Sequence, residues 1–271
     1  MEKIGLGITY DNEPVNELII DIINECIKTN SDSLNLASLN LKELPDLDNY
    51  DLYDKIIYLF CNNNEIVDIS SIKKFTKLEL LDCSNNKLIH IGELPATMTE
   101  LCCRNNYLVD LDTLINCTNM TLLDCSHNKL ISLPYLPALK NIVCSNNLIG
   151  SIPSIDTLTH IDCSFNKITE ITTYENLQEL ECSNNEIVNI SSQPMIKGIY
   201  CECNKIFQLH NYPFLQVLSC HNNNILKIPY YKYLFELSCT FGLNVKLDIK
   251  YKISKATKYS QNHIFLQMKK H

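Results

Sequence analysis

Ten cysteines, Cys61, Cys83, Cys103, Cys125, Cys144, Cys163, Cys182, Cys201, Cys220 and Cys239, are separated by 22, 20 and 22 residues and then by six intervals of 19. Spacing this regular marks an internal repeat. Each unit is too small to bury its own apolar face and must stack on its neighbours. Aligned on the cysteines, the chain reads L-x-x-L-x-C-x-x-N-x-L-x-x-I/L. Complete copies are Leu78, Leu81, Cys83, Asn86, Leu88, Ile91 and Leu177, Leu180, Cys182, Asn185, Ile187, Ile190; the register holds from Ile56 through Ile228. A degenerate copy runs through Leu34, Leu36, Leu39, Leu41 and Leu44, and a last one through Leu234, Leu237 and Cys239 with Gly242 in the Asn slot.

In L-x-C the apolar residues alternate with period two, so Leu and Cys enter the core of a short strand and the flanking residues face away. The Asn stands where the chain leaves the strand, and its amide can donate to and accept from the backbone of adjacent copies. Nineteen residues leave room for extended or 3₁₀ segments on the return side, with helical turns only in the 22-residue copies, such as 71–77. The ends need covers. Val15, Leu18, Ile19, Ile22, Ile23, Cys26 and Ile27 predict an amphipathic helix over residues 13–29, with Asn12 as N-cap and Pro14 in the first turn. At the other end, alternation of Val245, Leu247, Ile249, Tyr251 and Ile253 with polar residues predicts a lysine-faced edge strand, with 255–271 continuing as a weak helix or fraying. The organisation expected is a capping helix in 1–33, about eleven repeats in 34–242, and a cap with a basic tail in 243–271.

The pattern resembles the leucine-rich-repeat family over residues 34–242, with Cys in the third Leu slot. The 22-residue copies resemble the intracellular class of phosphatase regulators and splicing proteins. Copies carrying Leu133-Pro134 or Ile152-Pro153 resemble the bacterial-effector class. The resemblance implies an α/β leucine-rich-repeat solenoid. That is a right-handed superhelix with a parallel β-sheet on its concave face and a mostly irregular or 3₁₀ convex side. It also implies a protein-binding role. Two alternatives are a ubiquitin-ligase substrate adaptor, for which residues 1–33 supply one helix where a docking module needs about three, and a host-directed effector or giant-virus-type repeat protein.

No G-x-S-x-G, Walker loop, H-E-x-x-H or G-x-G-x-x-G occurs, so the sequence points to a non-enzyme without a cofactor. Cys102-Cys103 and Cys201-x-Cys203 invite a metal reading, but alternation sends the members of each pair apart, which leaves no metal site expected. There is no apolar run of about 18 residues for a membrane span and no signal-like start. Thiols without export predict an intracellular, cytoplasmic protein with all fourteen cysteines reduced.

Binding residues are therefore sought on the outward face of the strands. Acids expected there include Asp82, Glu100, Asp124, Asp162, Glu179 and Glu181, with Tyr58, Phe60, His160 and Tyr200 among them. Acids interleaved with aromatics suit a basic protein partner. Because these side chains alternate away from the core, changing them is expected to spare folding. Residues 1–239 carry 16 basic and 30 acidic side chains, whereas 240–271 carry 7 and 1. The acidic body argues against nucleic acid and against a membrane surface, and a monomer is expected.

Overall fold

The computed structural model describes residues 13–240, 246–247, 253–258 and 263–268. The chain forms two compact units, Met1–Lys129 and Leu130–His271.

The first unit opens with α1, Glu13–Thr29. Its buried seam is narrower than the sequence spacing predicts. Ile19, Ile23 and Cys26 are buried, Ile22 is half-buried, and Leu18 and Ile27 are exposed. An i, i+4, i+7 seam suffices because the helix lies against one short strand, β1 (Ser33–Asn35). Asn12 and the side chain of Val15 fall outside the described residues. At the C-terminal end Asn30 takes a left-handed conformation (φ 51°), while the Ser31 and Asn30 N–H groups donate to the carbonyls of Cys26 and Ile27. This closure satisfies the last turn with Asn in the place of glycine.

Strands β1, β2 (Tyr58–Phe60), β3 (Leu80–Asp82), β4 (Glu100–Cys102) and β5 (Leu122–Asp124) pair in parallel, each with the next. Their central residues Leu34, Leu59, Leu81, Leu101 and Leu123 lie in register and are buried. Two residues later Cys61, Cys83, Cys103 and Cys125 are buried as well. The next bend is held by asparagine. Asn86 donates to the carbonyls of Cys61 and Cys83, each at 3.0 Å, and accepts from the Ile66 N–H at 2.9 Å. Asn64 makes the same bonds into the degenerate first copy, donating to Leu36 and accepting from Leu39 and Leu41. On the return side the two 22-residue copies carry 3₁₀ segments, Ser70–Lys74 and Asp112–Asn116. The helical turn expected at 71–77 is thus the tighter form, because three extra residues complete one i→i+3 turn and no more.

The second unit contains β6 (Asn141–Val143), β7 (His160–Asp162), β8 (Glu170–Ile171), β9 (Glu179–Glu181), β10 (Asn189–Ile190), β11 (Gly198–Tyr200), β12 (Val217–Ser219), β13 (Lys227–Ile228), β14 (Glu236–Thr240), β15 (Lys246–Leu247), β16 (Ile253–Lys258) and β17 (His263–Met268). Strands β6, β7, β9, β11, β12 and β14 are parallel neighbours in that order. On the return side β8 pairs with β10 and β13 with β15. A second column with 19-residue spacing stands there. The Tyr174, Tyr212 and Tyr231 hydroxyls donate to the carbonyls of Ile152, Ile190 and His210, and between them Gln193 accepts from the Tyr174 N–H and donates to Thr172.

The far end of this unit differs from expectation. Residues 255–271 are neither helical nor frayed where they are described. Strands β16 and β17 form an antiparallel hairpin, and β17 pairs antiparallel with β14. Only Lys246–Leu247 of the predicted 245–254 strand is described before β16 begins, and it pairs on the return side. The reversal works because Leu266 and Met268 enter the core while Gln267 faces out, so one strand with period two covers the apolar edge of β14.

All fourteen cysteines are free thiols. Burial pushes the ladder thiols up, Cys61 and Cys239 each to about 12, which keeps them neutral and suits them to the core as small apolar groups.

Candidate functional site

The three-residue strands expose two rows of side chains, one on each side of the buried central residue. In the first unit one row places Tyr58, Leu80, Glu100 and Leu122 in register, and the other places Phe60, Asp82, Cys102 and Asp124. In the second unit one row is Asn141, His160, Glu179, Gly198, Val217 and Glu236. The other is Val143, Asp162, Glu181, Tyr200, Ser219 and Ser238. Neighbouring strands lie about 4.8 Å apart, so residues adjacent in a row touch or nearly so. The ten residues singled out in the sequence are accordingly gathered into two sets. Tyr58, Phe60, Asp82, Glu100 and Asp124 share the sheet of the first unit. His160, Asp162, Glu179, Glu181 and Tyr200 share that of the second.

The field over both sets is negative. In the first unit the half-buried Cys102 thiol is pushed up to about 11, by burial first and then by the Asp82, Asp124 and Glu100 carboxylates, against Arg104. In the second, Glu181 stands directly across from Asp162. Its carboxyl is raised by burial and then by Asp162, Glu179 and Glu202. Among the described residues, the lysine ion pairs join Glu25, Asp48, Glu65 and Glu186, and none reaches the six sheet-face carboxylates. His160 Nε2 lies 3.9 Å from Glu179 Oε2, and His160 Nδ1 lies 3.1 Å from the Asn141 side-chain oxygen.

Three of the acids also have a structural task. Asp82, Asp124 and Asp162 each accept the N–H of the serine two residues on, at 3.0, 3.1 and 3.0 Å. This is an Asx turn at the strand exit, and it accounts for the recurring Asp-Cys-Ser. Alternation alone does not disclose this bond, and altering any of these aspartates removes it at a cost of about 0.5–1.5 kcal/mol. Glu100, Glu179 and Glu181 carry no such turn.

Two residues past the ladder cysteines, His127 and Phe165 occupy the left-handed bend after the strand, at φ 54° and 55°. Of the cysteine pairs, Cys103 and Cys201 are buried, while Cys102 and Cys203 are half-buried on other faces. Among the described residues no group of three or more His, Cys, Asp or Glu could hold a metal ion, and no helix is long and apolar enough to cross a membrane.

One feature of the surface was missed in the sequence. The residue six after seven of the ten ladder cysteines is an exposed apolar side chain: Val67, Ile89 and Val109 in the first unit, Ile131, Val188, Phe207 and Leu226 in the second; Gly150 and Thr169 interrupt the series. The signal was present as a further 19-residue period, hidden because each of these residues follows a buried Leu or Ile and reads as part of the core run.

The leucine-rich-repeat family, as two copies, matches residues 54–95. No curated protein sequence matches the chain. Among solved structures, the functional domain of InlJ from Listeria monocytogenes, described as including a cysteine ladder, is 20% identical with a TM-score of 0.60; the match covers 86% of this chain and 65% of that one. The leucine-rich-repeat domain of APL1B is 19% identical with a TM-score of 0.56, over 88% of this chain and 71% of that one. The ectodomain of the plant receptor kinase GASSHO1/SCHENGEN3 from Arabidopsis thaliana is 20% identical with a TM-score of 0.66, over 89% of this chain and 34% of that one. The chain thus spans less than two thirds of the InlJ domain and about a third of the plant ectodomain, and what it shares with them is the fold. Its periodic Leu, Cys and Asn positions and their hydrogen-bonded stacking in both units give it the leucine-rich-repeat fold, and the family itself is matched over residues 54–95.

Proposed function

We propose that the chain is a non-enzymatic protein-binding solenoid whose sheet face receives a basic protein partner. The observation that carries this reading is the set of carboxylates on adjacent strands that no lysine or arginine ion pair neutralises, with Asp162 and Glu181 directly opposed. Like charges held side by side oppose folding, and a cationic surface docking on them relieves that repulsion. Tyr58, Phe60 and Tyr200, partly exposed among the acids, add apolar contact area of the kind that anchors interfaces. In this reading residues 1–33 and 243–271 cap the repeats of 34–242, the protein works as a monomer, and its thiols place it in a reducing compartment.

The test is equilibrium binding of a fluorescent lysine- and arginine-rich peptide. Reversing Glu100, Glu179 and Glu181 to Lys is expected to abolish binding, whereas reversing Glu93, Asp112 and Glu175, on the return side, leaves it near wild type. Equal binding by both variants contradicts the proposal.

A further inference from the structure

Gly198 is the one glycine in a strand among the described residues, in a chain with only 6 glycines where average usage gives about 19. Its row otherwise carries side chains, with Glu179 on one side and Val217 on the other. A strand glycine gives up packing and entropy, and commonly marks a place where another group comes close. Here the missing side chain opens a notch of about 190 Å³ on the sheet face of the second unit, lined by His160, Glu179, Lys197, Tyr200 and Val217 among others. Tyr200 lies back over the glycine, with Cε2 3.3 Å and the hydroxyl 3.9 Å from where a Cβ would stand, and Glu179 Cγ is 3.8 Å from the same point. The notch is thus floored by an aromatic ring and walled by a carboxylate.

Its size and surroundings limit what fits. Sites for small organic ligands run from about 300 to 1,000 Å³, whereas this notch has room for one long side chain. The charges acting on the Tyr200 hydroxyl, after burial, are those of Glu179, Glu236, Glu181 and Glu202, and all four raise it. The one cation at the rim, the Lys197 ammonium, is engaged by the Gln178 side-chain oxygen at 2.8 Å. Val217, half-buried across the notch, offers an apolar wall for an alkyl stem.

We propose that the Gly198 notch is a specificity pocket for a single lysine or arginine side chain of the partner, its cationic head over the Tyr200 ring and beside Glu179. This rests on the reading of the sheet face as the surface for a basic partner, and names the point at which that surface selects one side chain. A cation against a tyrosine face gains from the ring quadrupole, and the carboxylate supplies the ion pair.

The experiment uses the full chain and a hexalysine peptide, followed by NMR at the lysine ε-methylene protons. The wild type is expected to shift these protons upfield through the ring current of Tyr200. Gly198→Val, whose side chain presses on the Tyr200 ring and crowds the notch without changing charge, and Tyr200→Ala should each remove that shift and weaken binding about fivefold, while Tyr200→Phe keeps both. Thermal unfolding checks that each variant is folded, and should Gly198→Val fail to fold, the Tyr200 pair decides. If Gly198→Val and Tyr200→Ala bind like the wild type while the Glu100, Glu179, Glu181 reversal abolishes binding, the pocket is refuted and the acidic face stands. If the reversal also leaves binding unchanged, or hexalysine does not bind the wild type, both fail.

Discussion

At the scale of single residues, one backbone requirement recurs in every complete repeat. Every complete repeat bends after its strand through a residue with positive φ: Asn63, Asn85, Asn105, Asn146, Asn184 and Asn222 in six copies, and His127, Phe165 and Cys203 in the others. Asparagine tolerates this region best among non-glycine residues, which accounts for Asn in six of the nine bends. The ladder Asn beside it was legible from its period and its bonding capacity. The bend residue was not, because Phe and Cys in the slot hide the pattern. Phe165 and Cys203 are strained there, and Phe165→Asn or Cys203→Asn is expected to stabilise the protein by about 1 kcal/mol, read as a higher urea midpoint with an unchanged slope. The ladder thiols give a second test. Their folded pKa lies above the ordinary value of 9.0, at about 12 for Cys61. Stability from the buried thiols is therefore fully present below pH 9 and is lost as pH rises toward about 12, because the unfolded chain ionises first. In a Cys102→Ser, Cys203→Ser variant, which lacks the two half-buried thiols outside the ladder, thiolate absorbance should appear together with loss of circular dichroism; thiolates forming at pH 9 while that variant is folded would show the ladder to be open to solvent.

At the scale of elements, α1 and the strands were legible because each has one strong period, and the structure reproduces the helix from Glu13 to Thr29. The terminal hairpin was not legible. Ile264, Phe265 and Leu266 form an apolar run without alternation, and nothing local says that β17 pairs antiparallel with β14 after a series of parallel partners. The return-side column of Tyr174, Gln193, Tyr212 and Tyr231 was also passed over, since a glutamine in one slot interrupts an otherwise aromatic series. The helix carries a prediction of its own. Ile19 and Ile23 are fully buried against the first repeat, so deletion of residues 1–29 uncovers the apolar end of the stack. The truncated chain is expected to aggregate or to lose cooperative unfolding in size-exclusion and calorimetric measurements. A monomer with the wild-type melting point would show that α1 is dispensable.

At the scale of the whole molecule, the sequence disclosed which side chains leave the core but not which of them are free to meet a partner. Asp82, Asp124 and Asp162 recur because their carboxylates close turns, a role that spacing alone does not separate from binding. Glu100, Glu179 and Glu181 lack that task and remain as surface charge. An array of like charges steers an oppositely charged partner by its field, which acts on the association rate and weakens as salt screens it. The most direct measurement is the association rate constant of the lysine- and arginine-rich peptide from about 0.01 to about 0.1 M salt, where the screening length falls from about 30 Å to about 10 Å. For the wild type and the Glu93, Asp112, Glu175 reversal, the rate should fall steeply with salt. For the Glu100, Glu179, Glu181 reversal, it should be slow and nearly flat. A wild-type rate indifferent to salt, or the same salt dependence in both reversals, would contradict the account.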